Sequence, residues 1–146
     1  MGPKKILLIQ GHPDASAPHL CHALAAAYAQ GATAASHAVR QTQVAGLLFP
    51  LLASQADWET GELPAALQPA QDDIRWADHI VLFFPLWLGD MPAGVRAALQ
   101  HAQRRIAHGH ATGLAVVVPG GATEQPQRCG RLVCHPQGLQ HILKGG

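Results

Sequence analysis

Trp76-Ala77-Asp78-His79-Ile80-Val81-Leu82-Phe83-Phe84-Pro85-Leu86-Trp87-Leu88-Gly89-Asp90-Met91-Pro92-Ala93 joins an unbroken apolar run to a loop punctuated by proline and glycine. From Ile80 to Phe84 no polar side chain interrupts the run, and part of it is β-branched or aromatic. A strand covered on both faces of a parallel sheet reads this way, whereas a strand with one wet face alternates. Pro85 stops the strand because it brings no backbone N–H to the ladder. Leu86, Trp87, Leu88 and Met91 then place large apolar groups where the chain leaves the carboxyl edge of the sheet, the edge at which open α/β sheets bind ligands. Trp87 has two readings here: a lid on the core, or a face for a flat ligand.

Upstream, Lys5 to Gln10 is a second apolar run, ending at Gly11, and reads as another buried strand. The spacing predicts a helix after it, with Ser16 as N-cap, Pro18 early, and Leu20, Leu24, Ala27 and Tyr28 recurring at helical spacing until Gly31. An edge strand is expected around His37 to Gln41. Gly46 to Trp58 reads as an irregular connection with Phe49, Leu51 and Leu52 turned inward. Pro64 to Trp76 and Ala93 to His108 read as helices, the latter with a thin apolar stripe of Val95, Leu99 and Ile106. Leu114 to Val118 is a further β-branched run, closed by Pro119-Gly120-Gly121. Leu132-Val133-Cys134 reads as a short strand and Gln137 to Leu143 as a short helix. Strands alternating with helices give an α/β doubly wound parallel sheet in three layers.

The 146 residues fit a single domain, 1–146. A net charge of +1 gives no bulk attraction to nucleic acid or to an anionic membrane. No apolar segment is long enough for a signal peptide or a membrane span, so a cytoplasmic protein without membrane insertion is expected. Cys21, Cys129 and Cys134 are an odd set without CxxC pairing and suit reduced thiols. Composition breaks at one place. Every Trp, Phe and Tyr precedes Gly94, and the remainder holds one acidic residue, Glu124, against Arg96, Arg104, Arg105, Arg128, Arg131 and Lys144. A basic, aromatic-free last third implies either an interaction surface or a separate mutational history for that part of the chain, such as a frameshift or decay; the second reading carries more weight.

"WADHIVLFFPLWLGDMPA", preceded by "AQDDI", resembles the flavin-contacting segment of the NAD(P)H dehydrogenase (quinone) family, flavodoxin-like oxidoreductases. "KILLIQGHPDASAPHLCHALAAAY" is similar to that family's first strand, phosphate loop and first helix, and "LLFPLLASQADWETGELP" to its connecting segment. The resemblance runs from about Lys4 to Ala93 and weakens sharply beyond. It implies a flavodoxin-like sheet of order 2-1-3-4, for which no convincing fifth run follows Val118. If the fifth strand is missing, the fourth becomes an edge that a partner subunit or the carboxyl-terminal segment must cover.

Three loops are then expected to converge on one principal concave site. In Gly11-His12-Pro13-Asp14-Ala15-Ser16, backbone N–H groups and a helix dipole face one point and can hold a phosphate, although the charge of Asp14 opposes one. The resemblance puts His12, Ser16, Ala17 and His19 at the flavin phosphate, and Pro85, Leu86, Trp87 and Leu88 along the isoalloxazine, where fixed N–H dipoles meet the charge that reduction brings. Gly120 and Gly121 stand for the family's glycine pair after the fourth strand, with Val118 and Pro119 replacing its threonines. Pro126 stands near the spacing of a family Tyr, and His135 loosely near that of a family His. His19 with His22, and His108 with His110, lack the further ligands that zinc requires, and no Gly-x-Ser-x-Gly elbow anchors a hydrolase.

The resemblance implies an NAD(P)H:quinone oxidoreductase-like activity with FMN or FAD as cofactor, NAD(P)H as co-substrate, a small-molecule quinone-like acceptor and a homodimer. No side chain is assigned as catalytic, because the reaction belongs to the cofactor. The alternative is a shortened, flavin-free relative acting as a dimeric scaffold or binding module.

Overall fold

Two neighbouring strands carry the core: β1 (Lys5–Gln10) and β3 (His79–Phe83). The computed structural model describes residues 2–87 and 89–102 in full, and residues 103, 113–118 and 131–135 by their backbone. Successive side chains of a strand point to opposite faces, and both faces are covered. Ile6, Leu8, Val81 and Phe83 pack on one side with Ala25 and Ala32, while Leu7, Ile9, Ile80 and Leu82 pack on the other with Ile74, Val95 and Leu99. Each large apolar side chain so buried contributes about 1.5–3 kcal/mol relative to exposure. The absence of alternation in the sequence is the direct signature of this arrangement.

The first of these layers is helix α1 (Leu20–Ala34); the second contains α3 (Gln68–Trp76) and α4 (Ala93–Gln103). Strand β2 (Ala38–Gln43) lies beside β1, with β4 (Gly113–Val118) beyond β3 and β5 (Arg131–His135) beyond β4. The order β2-β1-β3-β4-β5 contains the expected 2-1-3-4 sequence. Strands β2, β1, β3 and β4 are mutually parallel, with Leu7 opposite Ile80 and Ile80 opposite Leu114. Among the described residues the parallel part has four strands. A fifth strand is nonetheless present: β5 runs antiparallel to β4, from Leu114 opposite His135 to Val118 opposite Arg131. The carboxyl-terminal segment therefore covers the edge that the sequence left open.

Three local expectations need correction. Ser16 is not the N-cap of α1; His19 is, and the helix starts at Leu20. The cause is Asp14, whose carboxylate takes both the amide and the hydroxyl of Ser16 and holds that residue in a turn. The helix also passes Gly31 and ends near Ala35, followed by Ser36 at φ 64°. Leu51 is not tucked inward but 67% exposed, as Leu48 is 88% exposed. Between Gly46 and Trp58 the chain also forms a short helix, α2 (Gln55–Glu59), capped by Ser54, which accepts from the Asp57 amide. The predicted helix over 137–143, and Ile106, lie outside the described residues.

Candidate functional site

Gly11 ties the two loops at the carboxyl edge together. Its amide donates to the Phe83 carbonyl at 2.6 Å. A Cβ there would stand 2.7 Å from Val95 Cγ2 and 2.9 Å from the Phe83 carbonyl oxygen, so only glycine lets β1 leave the sheet this close to β3 and α4.

The loop from β1 to α1 is a polar network. Gln10, fully buried, accepts the His12 amide on its Oε1 at 3.0 Å, while its Nε2 has no partner among the described residues. The Asp14 amide donates to His12 Nδ1 at 3.1 Å. Asp14 in turn accepts from the Ser16 amide at 2.8 Å, from Ser16 Oγ at 2.5 Å and from His19 Nε2 at 3.0 Å. The Ser16 hydroxyl and amide, then His19, hold the Asp14 carboxyl well below the ordinary carboxylate value. The His19 amide donates to His22 Nδ1 at 3.1 Å. The His12 ring lies flat on that of His19, 3.8 Å between centroids, with His22 at 5.5 Å from His12 and 5.7 Å from His19. Partial burial and then the neighbouring His12 and His19 push the His22 imidazole below its usual value.

The loop from β3 to α4 does the opposite. Trp87 and Asp90 exchange backbone hydrogen bonds, each 2.9 Å, across a tight turn in which Gly89 takes φ +84°. Asp90 braces the start of α4, accepting the Met91 amide at 2.7 Å and the Arg96 guanidinium; both hold its carboxyl down. Met91 turns back into the core and Trp87 does not. Trp87 is 54% exposed and Leu86 44%, which removes the reading of this indole as a lid on the core. Its ring stands edge-on to His12 at 6.5 Å between centroids.

The structure thus gathers His12, Ser16 and His19 from one loop and Pro85, Leu86 and Trp87 from the next at one edge of the sheet, with Ala17 exposed between Ser16 and His19. Leu88, Gly120 and Gly121 lie outside the described residues, as do Pro126, Pro119, His108 and His110. Sequence reasoning missed Gln10 and the organising part of Asp14. The second was visible in Asp14-Ala15-Ser16, a spacing that favours an Asx turn. No group of three metal-ligating side chains suited to an ion occurs among the described residues.

Two cavities are bordered by described residues, and neither is lined by Pro85, Leu86 or Trp87. One, of about 20 Å³ and bordered by Ile9, Val44, Gln71, Ile74 and Leu99, has room for roughly one water. The other, about 450 Å³, opens at the amino end of the sheet beside Lys4, Tyr28, Asp78 and His79. The third wall expected at the carboxyl edge falls outside the described residues. No described helix is long and apolar enough to cross a membrane.

A doubly wound sheet with its ligand-type loops at the carboxyl edge defines a flavodoxin-like protein. The sequence model of a family described as having a flavodoxin-like fold matches residues 4–114, and the chain belongs to that family. Among solved structures the fold is similar to an NAD(P)H:quinone oxidoreductase from Methanothermobacter marburgensis, at TM-score 0.58 and 18% identity over 69% of this chain and 53% of that one. It is also similar to a quinone reductase of Klebsiella pneumoniae, described there as putative, at TM-score 0.53 and 22% identity over 68% and 45%. An azoreductase from Bacillus anthracis str. Sterne matches at TM-score 0.54 and 15% identity over 84% and 73%. The chain spans about half the length of the first two. No curated protein matches it.

Proposed function

We propose that this protein is a flavin-binding NAD(P)H:quinone oxidoreductase-like protein whose flavin lies at the carboxyl edge between the two loops. The observation that carries this reading is the half-exposed Trp87 indole, held by its turn beside the stacked His12 and His19 rings. An apolar ring left in water at a ligand edge needs a partner, and a flat heteroaromatic one suits it.

The residues present fit such a group. The donors of the first loop already bind one anionic oxygen pair, the carboxylate of Asp14, so their chemistry is that of an anion site at a helix start. His12, Ser16, Ala17 and His19 would hold the phosphate of FMN or FAD, and Pro85 to Leu88 would run along the ring, with Gly120 and Gly121 as the family's glycine pair. Bound flavin supplies hydride acceptance from NAD(P)H and two-electron delivery to a small quinone-like acceptor. The chain's part is orientation: Trp87 excludes water from one side, and the Trp87–Asp90 turn fixes the backbone dipoles beside it. Correct stacking governs the rate, because small misplacements cost orders of magnitude. No Trp, Phe or Tyr follows Met91 to help wall the ring, so turnover is expected to fall below the roughly ten per second typical of enzymes.

The test is direct: purify the protein without added cofactor, record its visible spectrum, repeat after FMN and after FAD, then add NADH or NADPH with a benzoquinone. A flavin band that bleaches with reduced nicotinamide supports the reading; a colourless protein after both additions refutes it. A colourless outcome would favour the second reading, a flavin-free scaffold or binding module, for which Asp14's occupation of the anion donors is the favouring observation. Exposed Leu48, Leu51, Leu86 and Trp87 also support a homodimer in either case, and sedimentation as a monomer at micromolar concentration would remove it. The ladder argument for that dimer is gone, since β5 pairs with β4.

A further inference from the structure

The loop between β1 and α1 contains its own anion. Three of its donors, the Ser16 amide, Ser16 Oγ and His19 Nε2, converge on the Asp14 carboxylate at 2.8, 2.5 and 3.0 Å. Ser16 and His19 are also the side chains that the flavin reading assigns to the phosphate. One set of donors cannot serve two anions. We propose that Asp14 is a built-in competitor for the flavin phosphate: its carboxylate holds the loop's anion donors, and a phosphate enters only by displacing it. The proposal rests on the flavin reading and adds to it a rule of selection, namely that this site draws its affinity from the flavin ring and discriminates against the phosphate.

Charge and placement both support this. The hydrogen bonds from Ser16 and His19 keep Asp14 ionised well below the ordinary carboxylate range, so mild acid does not remove the competitor. Nearly half of the Asp14 side chain is exposed, so it can swing outward without leaving a buried charge unpaired. Once displaced, it still stands beside a phosphate of like charge. Trp87 meets the first loop at the His12 ring, 6.5 Å between centroids, rather than at the Asp14 carboxylate.

The experiment compares FMN with riboflavin, which has the same ring and no phosphate, by quenching of flavin fluorescence in phosphate-free buffer. Wild type, Asp14→Asn and Asp14→Ala are measured together, with thermal unfolding by circular dichroism. Asn keeps an oxygen to accept the Ser16 amide, so that variant retains the turn while losing the charge. Removal of one negative charge near a phosphate dianion is expected to tighten FMN about tenfold in both variants, with riboflavin unchanged to within about twofold. An FMN affinity that is unchanged or weaker in folded Asp14→Asn, while wild type binds FMN, overturns the proposal and leaves the flavin reading intact. Equal tightening of both ligands also overturns it, since that would report a general opening of the loop. Failure of all three proteins to bind either flavin overturns both the proposal and the reading beneath it.

Discussion

The β1–α1 loop and the β3–α4 loop leave the same edge of the sheet from adjacent strands, yet they dispose of their polar and apolar groups in opposite ways. In the first, Gln10, Asp14, Ser16, His19 and His22 bond to one another or to nearby backbone, and little hydrogen-bonding capacity is left to offer. In the second, the polar groups are confined to the turn that Trp87 and Asp90 close, and the surplus is apolar: Trp87 and Leu86 face outward. Hydrogen bonds satisfied within a loop gain nothing from a ligand unless the ligand replaces them. Exposed aromatic area gains from any flat partner that excludes water. On the proposed flavin reading, the difference puts the ligand affinity of this edge in the second loop and makes the first a filter.

The contrast breaks most severely at the residue that joins the loops. Gly11→Val puts two methyl groups where one Cβ already meets Val95 and the Phe83 carbonyl inside 3.0 Å. Overpacking against backbone is expected to cost about 3 kcal/mol or more, read as a lower denaturant midpoint with unchanged slope. A variant as stable as wild type would show that the loops can separate without penalty.

A smaller effect isolates the second loop. Gly89 sits at φ +84° with nothing within 4 Å of its would-be Cβ, so Gly89→Ala meets no steric neighbour and only backbone strain. That strain is about 1–2 kcal/mol, and the expected outcome is a modest stability loss with a several-fold loss of flavin affinity. Unaltered flavin affinity at reduced stability would uncouple the turn from the site.

The smallest effect is the dependence on pH. Burial lowers His79, and burial followed by its histidine neighbours lowers His22, both from a normal value of 6.5. The unfolded chain then binds more protons than the folded one, so their stabilisation is complete above about 6.5 and is lost as pH falls through the folded values. Asp14 and Asp90, also lowered, extend the same sign of slope to pH values below about 3.8, where the unfolded carboxylates take up protons first. Unfolding titrations are expected to show stability falling with acid, with a shallower fall between about pH 6.5 and 5 in His79→Gln. A rise in stability on acidification would contradict the burial assigned to these rings.

What could be read from the sequence tracked what burial imposes on residue choice. The runs Ile6 to Ile9 and Ile80 to Phe83 were legible because each is covered on both faces, and Leu114 to Val118 because it is rich in β-branched residues. The direction of β5 was not legible, since Leu132, Val133 and Cys134 suit a strand of either sense and pairing partners decide it. The start of α1 was misread because propensity favoured Ser16 as a cap, while a side chain two residues earlier claimed it. Leu51 was misread because apolar identity alone does not tell which way an irregular segment faces. At the edge of the sheet, His12, His19 and Trp87 were singled out by the family resemblance, and the structure places their rings side by side. Gln10 was invisible, because nothing marks the last residue of a buried strand as polar support for the adjoining loop.

The central claim is that Trp87 gives this edge its ligand affinity while contributing little to the fold. Titration of FMN against wild type and Trp87→Ala, each with its own thermal unfolding curve, tests it most directly. The expected result is saturable quenching of flavin fluorescence by wild type, at least about tenfold weaker binding by the variant, and superimposable unfolding curves. A variant that binds FMN as tightly as wild type, or one that unfolds while wild type stands, would contradict the account.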